Sequence, residues 1–457
     1  MLTYELKKAP GVPLYEALYR CIRGDILSGR LQKGDKLPSK RALATHLEVS
    51  KITVETAYSQ LAAEGYIIAR EKVGYFVEAV ETISVAQVAA QKAVSVAENP
   101  IPMVDLTANA PAQFPFSVWL RLQRQVMLDC GHQLLEALPN QGCRDLRQAI
   151  AGHLAGFRGM QVDPENIILG AGTDFLYNLL LQLLGNRRVY ALEEPGYSKI
   201  RNIYEAAGAQ TLCAQMDEEG VMPQSLAGAD VLHFSPSHHF PSGRITPMQR
   251  RQQLLKWAAQ GDRWIVEDDY DSEFRFDAHP MQAMYSADAE GRVIYMNSFS
   301  KSMAPSIRIA YMILPPALMA QFRQKLGFYS CTVSGFEQHT LAAFLQQGHF
   351  EKHINRMRKF YRARRNRLME ILQNCAIASR LSVEEADAGL HFLVQVDTQH
   401  TDEELVQICR DKGLKVQMLS SSYHGTAPAD SHRRIVVNYS GLKDADLDRL
   451  EQILGEY

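Results

Sequence analysis

Lys301 stands in the run Asn297–Arg308 (NSFSKSMAPSIR), where small hydroxyl residues flank the lysine and Arg308 follows seven positions later. A lysine that gives up its proton attacks an aldehyde and forms an imine. Hydroxyl groups such as that of Ser298, together with a guanidinium, are donors that bind a phosphate. The run therefore predicts a Schiff-base lysine beside a phosphate site, although a lysine taken singly is more often a surface residue.

Other residues supply what the phosphate-bearing aldehyde pyridoxal 5′-phosphate (PLP) requires. Asp268 ends an apolar, strand-like run, and a carboxylate there keeps the pyridine nitrogen protonated. Tyr270 offers a hydrogen bond to the phenolic oxygen, and Tyr197 offers a ring for stacking. Gly172 and Thr173 follow another apolar run and open a helix, where phosphates commonly bind. Each residue alone also fits a turn, a solvated cap or the core, but their joint occurrence in this order predicts a PLP site.

A second pattern, typical of DNA binding, occupies the first 80 residues. The whole chain has a net charge of −2 and a pI of about 6.7, so any affinity for nucleic acid must come from a local basic patch. Apolar spacing predicts a helix over Pro13–Ser28, a short helix capped by Ser39, and a helix over Ile52–Glu64 capped by Ser50. Two short strands, Tyr66–Ala69 and Tyr75–Val77, follow around the turn Glu71–Gly74. The same charges also fit a solvated protein-interaction module.

The amino-acid sequence of this segment resembles that of a known protein family in three stretches. Residues 37–44 (LPSKRALA), 49–58 (VSKITVETAY) and 64–66 (EGY) closely resemble the GntR family of bacterial transcription regulators. The resemblance implies a winged helix-turn-helix that enters the major groove of DNA. It departs from the family at the wing, where residues 70–74 are REKVG and an Arg-x-Gly-x-Gly turn is usual. The residues that the resemblance places against DNA are Arg41, Ser50, Lys51, Thr53 and Thr56.

The rest of the chain has an α/β pattern. A winged helix over residues 1–78 and a linker over 79–100 precede an α/β domain over 101–457 that contains the predicted PLP site, with a large lobe over about 101–335 and a smaller α+β lobe over about 336–457. Helical stretches separate most of the apolar runs, which predicts a largely parallel sheet. A long basic helix (Glu351–Gln373) opens the smaller lobe. The predicted strands of the large lobe are Asn166–Leu169, Arg188–Leu192, Val231–Phe234, Trp264–Val266, Val293–Met296 and Ile309–Leu314.

The order of the PLP-site residues resembles that of fold-type I aminotransferases, specifically the MocR subgroup, in which a GntR-type winged helix is fused to an aminotransferase-like domain. The resemblance implies Lys301 as the internal aldimine and Asp268 at the pyridine nitrogen. It also implies Tyr270 at the phenolic oxygen and Tyr197 on the ring face. A homodimer follows, because this fold places its site at a dimer interface. The phosphate residues that it implies are Gly172, Thr173, Ser298 and Arg308.

Two departures from the aminotransferase pattern bear on the ligand. Phe240 takes the place of an asparagine that contacts the cofactor, after two histidines of which at most one is expected to face it. Val436 takes the place of the arginine that holds a substrate α-carboxylate, unless a short register shift brings in Arg434. The effector is then an amine, an amino acid held by another residue such as Lys199, or PLP itself.

These features favour a PLP-dependent transcription regulator that senses a small molecule through an aminotransferase-like domain. The alternative is a working aminotransferase with a regulatory DNA-binding module, which would require steady turnover. The seven cysteines are scattered without a CxxC pair, which argues against a zinc site or a disulfide framework, and no metal is expected. An apolar run of about 18 residues is missing from the sequence, so we expect a cytoplasmic protein without a membrane span.

Overall fold

The computed structural model describes residues 2–4, 13–70, 73–78, 103–109, 113–276, 282–384 and 389–455. The chain divides into two compact units, here called the N-terminal unit (residues 1–99) and the C-terminal unit (residues 100–457). The predicted linker over 79–100 and the predicted wing turn at Glu71 and Lys72 lie outside the described residues. Among the residues that are described, none of the helices combines the length and the apolar character needed to cross a membrane.

The N-terminal unit is a small helical core followed by a two-stranded antiparallel hairpin. Its side chains bury the apolar faces that the sequence predicts, among them Leu18, Ile22, Val54 and Leu61, each of which is fully buried. Serine caps begin the second and third helices, because each hydroxyl accepts a hydrogen bond from a free backbone N–H. The elements are α1 (Leu14–Leu27), α2 (Lys40–His46), α3 (Lys51–Ala63), β1 (Ile67–Arg70) and β2 (Gly74–Val77).

The C-terminal unit contains a mixed sheet, flanked by helices, and a smaller antiparallel sheet. Its strands are β3 (Val104–Asp105), β4 (Ile167–Gly170), β5 (Val189–Glu194), β6 (Gln210–Asp217), β7 (Gly220–Val221), β8 (Val231–Phe234), β9 (Trp264–Asp268), β10 (Val293–Ser298), β11 (Ala310–Ile313), β12 (Leu381–Glu384), β13 (His391–Val396), β14 (Leu414–Lys415), β15 (Gln417–Met418) and β16 (Arg434–Asn438).

Helices of the C-terminal unit connect most of these strands and cover the large sheet, as the alternating pattern predicts. They are α4 (Phe116–Cys130), α5 (Arg144–Arg158), α6 (Thr173–Leu184), α7 (Ser198–Ala206), α8 (Met248–Ala259), α9 (Met284–Ala287), α10 (Pro316–Leu326), α11 (Gly335–Gln346), α12 (His349–Asn374), α13 (Asp402–Asp411) and α14 (Asp444–Gly455).

The large sheet has the strand order β4-β11-β10-β9-β8-β5-β6-β7 within the described residues. Strands β5, β6, β8, β9 and β10 run parallel, whereas β11 and β7 are antiparallel to their neighbours. The prediction of a largely parallel sheet therefore holds with these two exceptions. The parallel strands β5, β8, β9 and β10 all end at one edge, and ligands of open α/β sheets bind outside that edge.

The smaller lobe is built on the antiparallel sheet β12-β13-β16-β15. Strand β3 pairs with β14 of this lobe, and the backbone N–H of Asn438 donates to the carbonyl of Leu106. Residues 103–109 therefore belong with the smaller lobe, whereas the sequence placed everything from 101 to about 335 in the large one. This pairing joins segments about 310 residues apart, which no local pattern reveals.

Candidate functional site

A cavity of about 370 Å³ lies where the carboxyl ends of the parallel strands meet the smaller lobe. A loop of the smaller lobe closes one side of it, because the carbonyl of Ser422 accepts a hydrogen bond from Gly196 N at 3.0 Å. Glu194 also accepts from His424 N at 2.5 Å. Except for Gly172, every residue that the sequence predicts for the cofactor lines this cavity, namely Thr173, Tyr197, Asp268, Tyr270, Ser298, Lys301 and Arg308.

Lys301 lies in the turn after β10 and reaches the cavity because its neighbours anchor the turn in the core. Phe299 and Met303 are buried, and Met303 N donates to the carbonyl of Phe299 at 2.8 Å. Burial lowers the pKa of the Lys301 ammonium to about 8, although the negative charge of Asp271 partly opposes this shift. About a tenth of the amine is therefore neutral at pH 7, far more than for an ordinary lysine, and a nucleophilic lysine requires this neutral form.

Asp268 is buried at the end of β9, and only one of its two oxygens is occupied. Its Oδ2 accepts from the Tyr177 hydroxyl at 2.5 Å and lies 3.5 Å from Nε2 of His233. Its Oδ1 is buried and has no hydrogen-bond partner among the described residues. An unpaired oxygen of a buried carboxylate is costly, so this atom fits a donor on a ligand in the cavity.

The part of the cavity where the sequence predicts a phosphate combines a helix start with a guanidinium. Gly172 precedes α6 at a φ of +87° and has no side chain that caps the free N–H groups. A Cβ at this position would lie 2.3 Å from Nη2 of Arg308, so glycine is required for the close approach. Arg308 donates to the carbonyl of Ala171 at 3.1 Å and lies 3.4 Å from Asp174 Oδ2. The arrangement offers donors of positive character to an anion.

Aromatic residues, among them Tyr197, Phe240 and Tyr270, line the cavity. Tyr197 is half exposed and meets the ring of Phe240 edge-on, with 5.8 Å between the ring centroids. The Tyr270 ring lies 5.9 Å from Nζ of Lys301, and its hydroxyl is 3.2 Å from Nδ1 of His238. The two histidines face different surroundings, since His239 pairs with Ser242 and with the carbonyl of Pro195.

Val436, which was aligned from the sequence with the carboxylate-binding arginine of aminotransferases, is buried in an apolar cluster with Leu393, Leu419, Phe240 and Tyr423. The register shift considered from the sequence does not bring Arg434 to this place, because the Arg434 guanidinium donates to Gln395 and lies 3.5 Å from Glu384 Oε1. Lys199 lines the cavity, but its Nζ is 2.7 Å from Asp174 Oδ2.

Three residues that line the cavity escaped the sequence analysis: Tyr177, His233 and Asp174. Tyr177 and His233 lie in a helix and a strand whose other buried residues are apolar, so their periodicity is that of core residues. Asp174 follows Thr173 directly, and an acidic residue there is also an ordinary feature of a helix start. Nothing local in the sequence distinguishes these positions from structural ones.

In the N-terminal unit, the predicted DNA-facing residues gather around the start of α3. The side chains of Arg41, Lys51 and Thr56 are exposed. The Ser50 hydroxyl accepts from Thr53 N at 3.1 Å and lies 2.8 Å from the Thr53 hydroxyl. These two hydroxyls therefore shape the helix start as well as present polar atoms. A shallow groove beside it is lined by Arg41, Ala44, Thr45, Glu48, Val49 and Lys51.

One lysine of the basic patch is paired with an acidic residue. Lys40 pairs with Glu55 of α3 at 2.7 Å, and this contact raises the pKa of the lysine and lowers that of the glutamate. Lys51 and Arg41 make no such ion pair within the described residues. They are thus the cations of this end of α3 that are available to a phosphate.

Two family models match the chain, one to each unit. The model of bacterial regulatory proteins of the gntR family matches residues 14–77, and the model of aminotransferase class I and II matches residues 101–454. Together the two models span most of the chain.

Curated relatives share both parts. The chain is 31% identical over 459 residues to the probable rhizopine catabolism regulatory protein MocR of Rhizobium meliloti, covering 96% of this chain and 92% of that protein. It is 32% identical over 438 residues to the HTH-type pyridoxine biosynthesis transcriptional regulator PdxR of Corynebacterium glutamicum, covering 95% and 93%.

Among solved structures, kynurenine aminotransferase of Pyrococcus horikoshii aligns with a TM-score of 0.68 and 23% identity, covering 78% of this chain and 91% of that one. This likeness shows that the C-terminal unit has the aminotransferase fold.

Proposed function

This chain belongs to the MocR subgroup of GntR-family transcription regulators, and we propose that its aminotransferase-like domain binds PLP and senses a small molecule that alters DNA binding. The observation that carries the proposal is the convergence of Lys301, Asp268 and Arg308 on one cavity, in a chain that also has a helix-turn-helix unit. The first supplies an amine, the second a carboxylate and the third a cation, which are the groups that PLP requires.

The residues of the cavity fit PLP. The unpaired Oδ1 of Asp268 suits a protonated pyridine nitrogen, and the uncapped helix start at Gly172, with the Arg308 guanidinium beside it, suits a phosphate. When bound, PLP supplies an aldehyde that condenses with amines and a ring that withdraws electrons. Lys301 would hold the cofactor covalently, and the remaining contacts fall to Tyr270 at the phenolic oxygen, Tyr197 on the ring, and Thr173 and Ser298 at the phosphate.

The surroundings of Val436 favour sensing over turnover. An α-amino acid needs a cation for its carboxylate, and Val436, which we align with the usual arginine, lies in a buried apolar cluster. The other cations of the outer cavity already have acidic partners, since Lys199 pairs with Asp174 and Arg201 with Glu194. An amine without a carboxylate, or a form of vitamin B6, therefore suits the cavity better than an amino acid. The relative PdxR is described as a regulator of pyridoxine biosynthesis, which points to the same class of ligand.

A homodimer is part of the proposal. Helix α4 and the turn after it expose large apolar side chains that a monomer would leave in water, including Phe116, Leu120, Leu128 and Leu135, whose exposed fractions range from 63% to 76%. Exposed apolar patches of this kind mark interaction surfaces. A two-fold pair would bury the same row on both copies and present two helix-turn-helix units to DNA.

The experiment uses the full-length chain and a DNA fragment that contains its promoter region. Fluorescence anisotropy is measured with the cofactor-free protein, with PLP, and with PLP plus a panel of amines and amino acids. We expect PLP or an amine to change the DNA affinity, because a ligand shifts a two-state equilibrium only through different affinities for the two states. DNA affinity that no ligand changes, or steady multi-turnover transamination of a common amino acid, would overturn the regulator function.

A further inference from the structure

We propose that His238, oriented by Asp271, is the residue that positions the Tyr270 hydroxyl for its ligand in the cavity. The inference rests on the proposed binding of PLP, and it assigns a role to two buried residues, His238 and Asp271, that are not among the lining residues of the cavity. His238 follows β8 in the large lobe, whereas Tyr270 and Asp271 follow β9. All three come from neighbouring strand ends, so the large sheet fixes their relative positions.

The hydrogen bonds determine which nitrogen of His238 carries the proton. Nδ1 lies 2.8 Å from Asp271 Oδ2 and 3.2 Å from the Tyr270 hydroxyl oxygen. An ionised carboxylate only accepts hydrogen bonds, so Nδ1 must be the protonated nitrogen and has no lone pair to offer. The Tyr270 hydroxyl therefore cannot donate to His238. It accepts from Nδ1–H instead, and its own proton is left for an acceptor in the cavity, which Tyr270 lines.

Two residues of the smaller lobe pack against the His238 imidazole and hold it in this position. Gly389 of the smaller lobe lies against one side, where a Cβ would come within 1.8 Å of His238 Cε1. The ring of His391, also from the smaller lobe, lies 4.5 Å away between centroids. Burial lowers the pKa of His391 well below its ordinary value, with smaller effects from His238 and Lys301. The group that faces His238 from the smaller lobe is thus a neutral imidazole, which adds no charge that would compete with Asp271.

A cation is a poorer explanation of the same cluster. Ligand atoms of His238, Asp271 and His391 lie within 4.8 Å of one another, a spacing that would admit a metal ion. The 2.8 Å between Nδ1 and Oδ2 is a hydrogen-bond distance. It is shorter than the roughly 3.3 Å that separates two ligand atoms around a tetrahedral zinc ion. A hydrogen bond, and not a shared metal ion, therefore joins the His238 and Asp271 side chains.

The test measures the pH at which the visible absorption of the bound cofactor changes. A hydrogen bond from Tyr270 stabilises negative charge on the phenolic oxygen, so its loss raises this pH. We expect His238→Ala to raise it by about 0.5 to 1 pH unit, the size of one hydrogen bond. His238→Asn should show only a small part of this rise, because the asparagine amide nitrogen can occupy the Nδ1 position and donate to the Tyr270 hydroxyl. His239→Gln is the matched control, since His239 is equally buried and does not contact Tyr270.

A double-mutant cycle separates positioning from a structural effect. In a Tyr270→Phe background, His238→Ala should cause no further shift, because the hydroxyl on which it acts is gone. Equal shifts in both backgrounds would overturn the inference. If the unaltered chain never develops a visible band with PLP, the proposed function fails instead.

The cofactor-free chain gives a second, independent measurement. Nitrogen-15 spectra of labelled histidine should show His238 protonated at Nδ1, and Asp271→Ala should move that proton to Nε2. A His238 that is protonated at Nε2 in the unaltered chain would refute the inference, whatever the cofactor does.

Discussion

Tyr177 donates a 2.5 Å hydrogen bond to Oδ2 of Asp268 and leaves Oδ1 of the same buried carboxylate without a partner among the described residues. One oxygen therefore fixes the side chain, and the other is presented to the cavity. His233 supports the first oxygen from the neighbouring strand β8, at 3.5 Å. The sheet thus holds a charge in a fixed place before any ligand arrives, which reduces the cost of binding.

Asp268→Asn should weaken PLP binding by about 10- to 100-fold, because a hydrogen bond to a charged group contributes roughly 1.5–3 kcal/mol. Tyr177→Phe leaves Oδ1 in place, so its effect should be smaller. The measurement is a titration of the apo-chain with PLP, followed by absorbance. Asp262→Asn, a surface aspartate paired with Arg188, is the control and should change nothing. An Asp268→Asn chain with unaltered affinity would contradict the placement of the pyridine nitrogen.

The rate of covalent PLP capture should rise about fivefold from pH 7 to pH 8 and then level off, because burial lowers the pKa of Lys301 to about 8 and only the neutral amine reacts. An ordinary lysine would continue to gain rate beyond pH 10. Measurements should begin at pH 7, since a phosphate monoester itself titrates near pH 6.

Borohydride reduction identifies the amine. Lys301→Ala should lose the cofactor that reduction fixes, whereas Lys199→Ala should retain it, since that lysine pairs with Asp174 near the cavity mouth. Fixation that persists in Lys301→Ala would move the covalent site elsewhere.

Gly172→Ala should abolish most of the affinity for PLP, because the new Cβ would lie 2.3 Å from the Arg308 guanidinium. Gly228→Ala is a matched control. Its φ of +83° is close to the +87° of Gly172, but nothing lies within 4 Å of the position of its Cβ. Both variants should lose stability of about 1–3 kcal/mol from backbone strain, measured by thermal melting. Only Gly172→Ala should lose binding, and equal PLP affinities in the two variants would argue against a phosphate at this helix start.

Much of the N-terminal unit follows from its sequence because local signals set its boundaries. Ser39 and Ser50 cap the helices that they were predicted to cap, and the predicted hairpin strands match β1 and β2 to within one residue. In the C-terminal unit, Asp268 was placed at a strand end from the apolar run before it, and β9 does end there. Local patterns of this kind carry over because caps and strand ends depend on near neighbours.

Features that depend on contacts between distant parts of the chain could not be predicted from the sequence. Strand β6 was not predicted, since among its residues only Ala214 is buried and its apolar pattern is weak. The pairing of β3 with β14 joins distant parts of the chain. The contact between His238 and His391 depends on how the smaller lobe meets the large one, so neither histidine differs in sequence from a core residue.

Replacing exposed apolar residues of α4 should separate the proposed dimer. The double variant Leu120→Lys and Leu128→Lys removes two side chains whose burial would contribute roughly 1.5–3 kcal/mol each and puts charge in their place. We expect the mass in light scattering after gel filtration to fall to that of one chain. Met248→Lys, at the start of α8, is the control and should leave the mass unchanged. A double variant with the mass of the unaltered chain would place any interface elsewhere.

Lys51→Ala should weaken DNA binding and reduce the salt dependence, because a lysine on a phosphate displaces a counterion when it binds. Removal of one phosphate contact lowers the slope of log affinity against log salt by about 1. Lys51 is a good candidate because it begins α3, is exposed, and has no acidic partner among the described residues, whereas Lys40 is held by Glu55. Lys256→Ala, in the C-terminal unit, makes the same change in net charge and should leave both quantities unaltered. If Lys51→Ala and Lys256→Ala behave alike in salt titrations by fluorescence anisotropy, the start of α3 does not contact the DNA backbone.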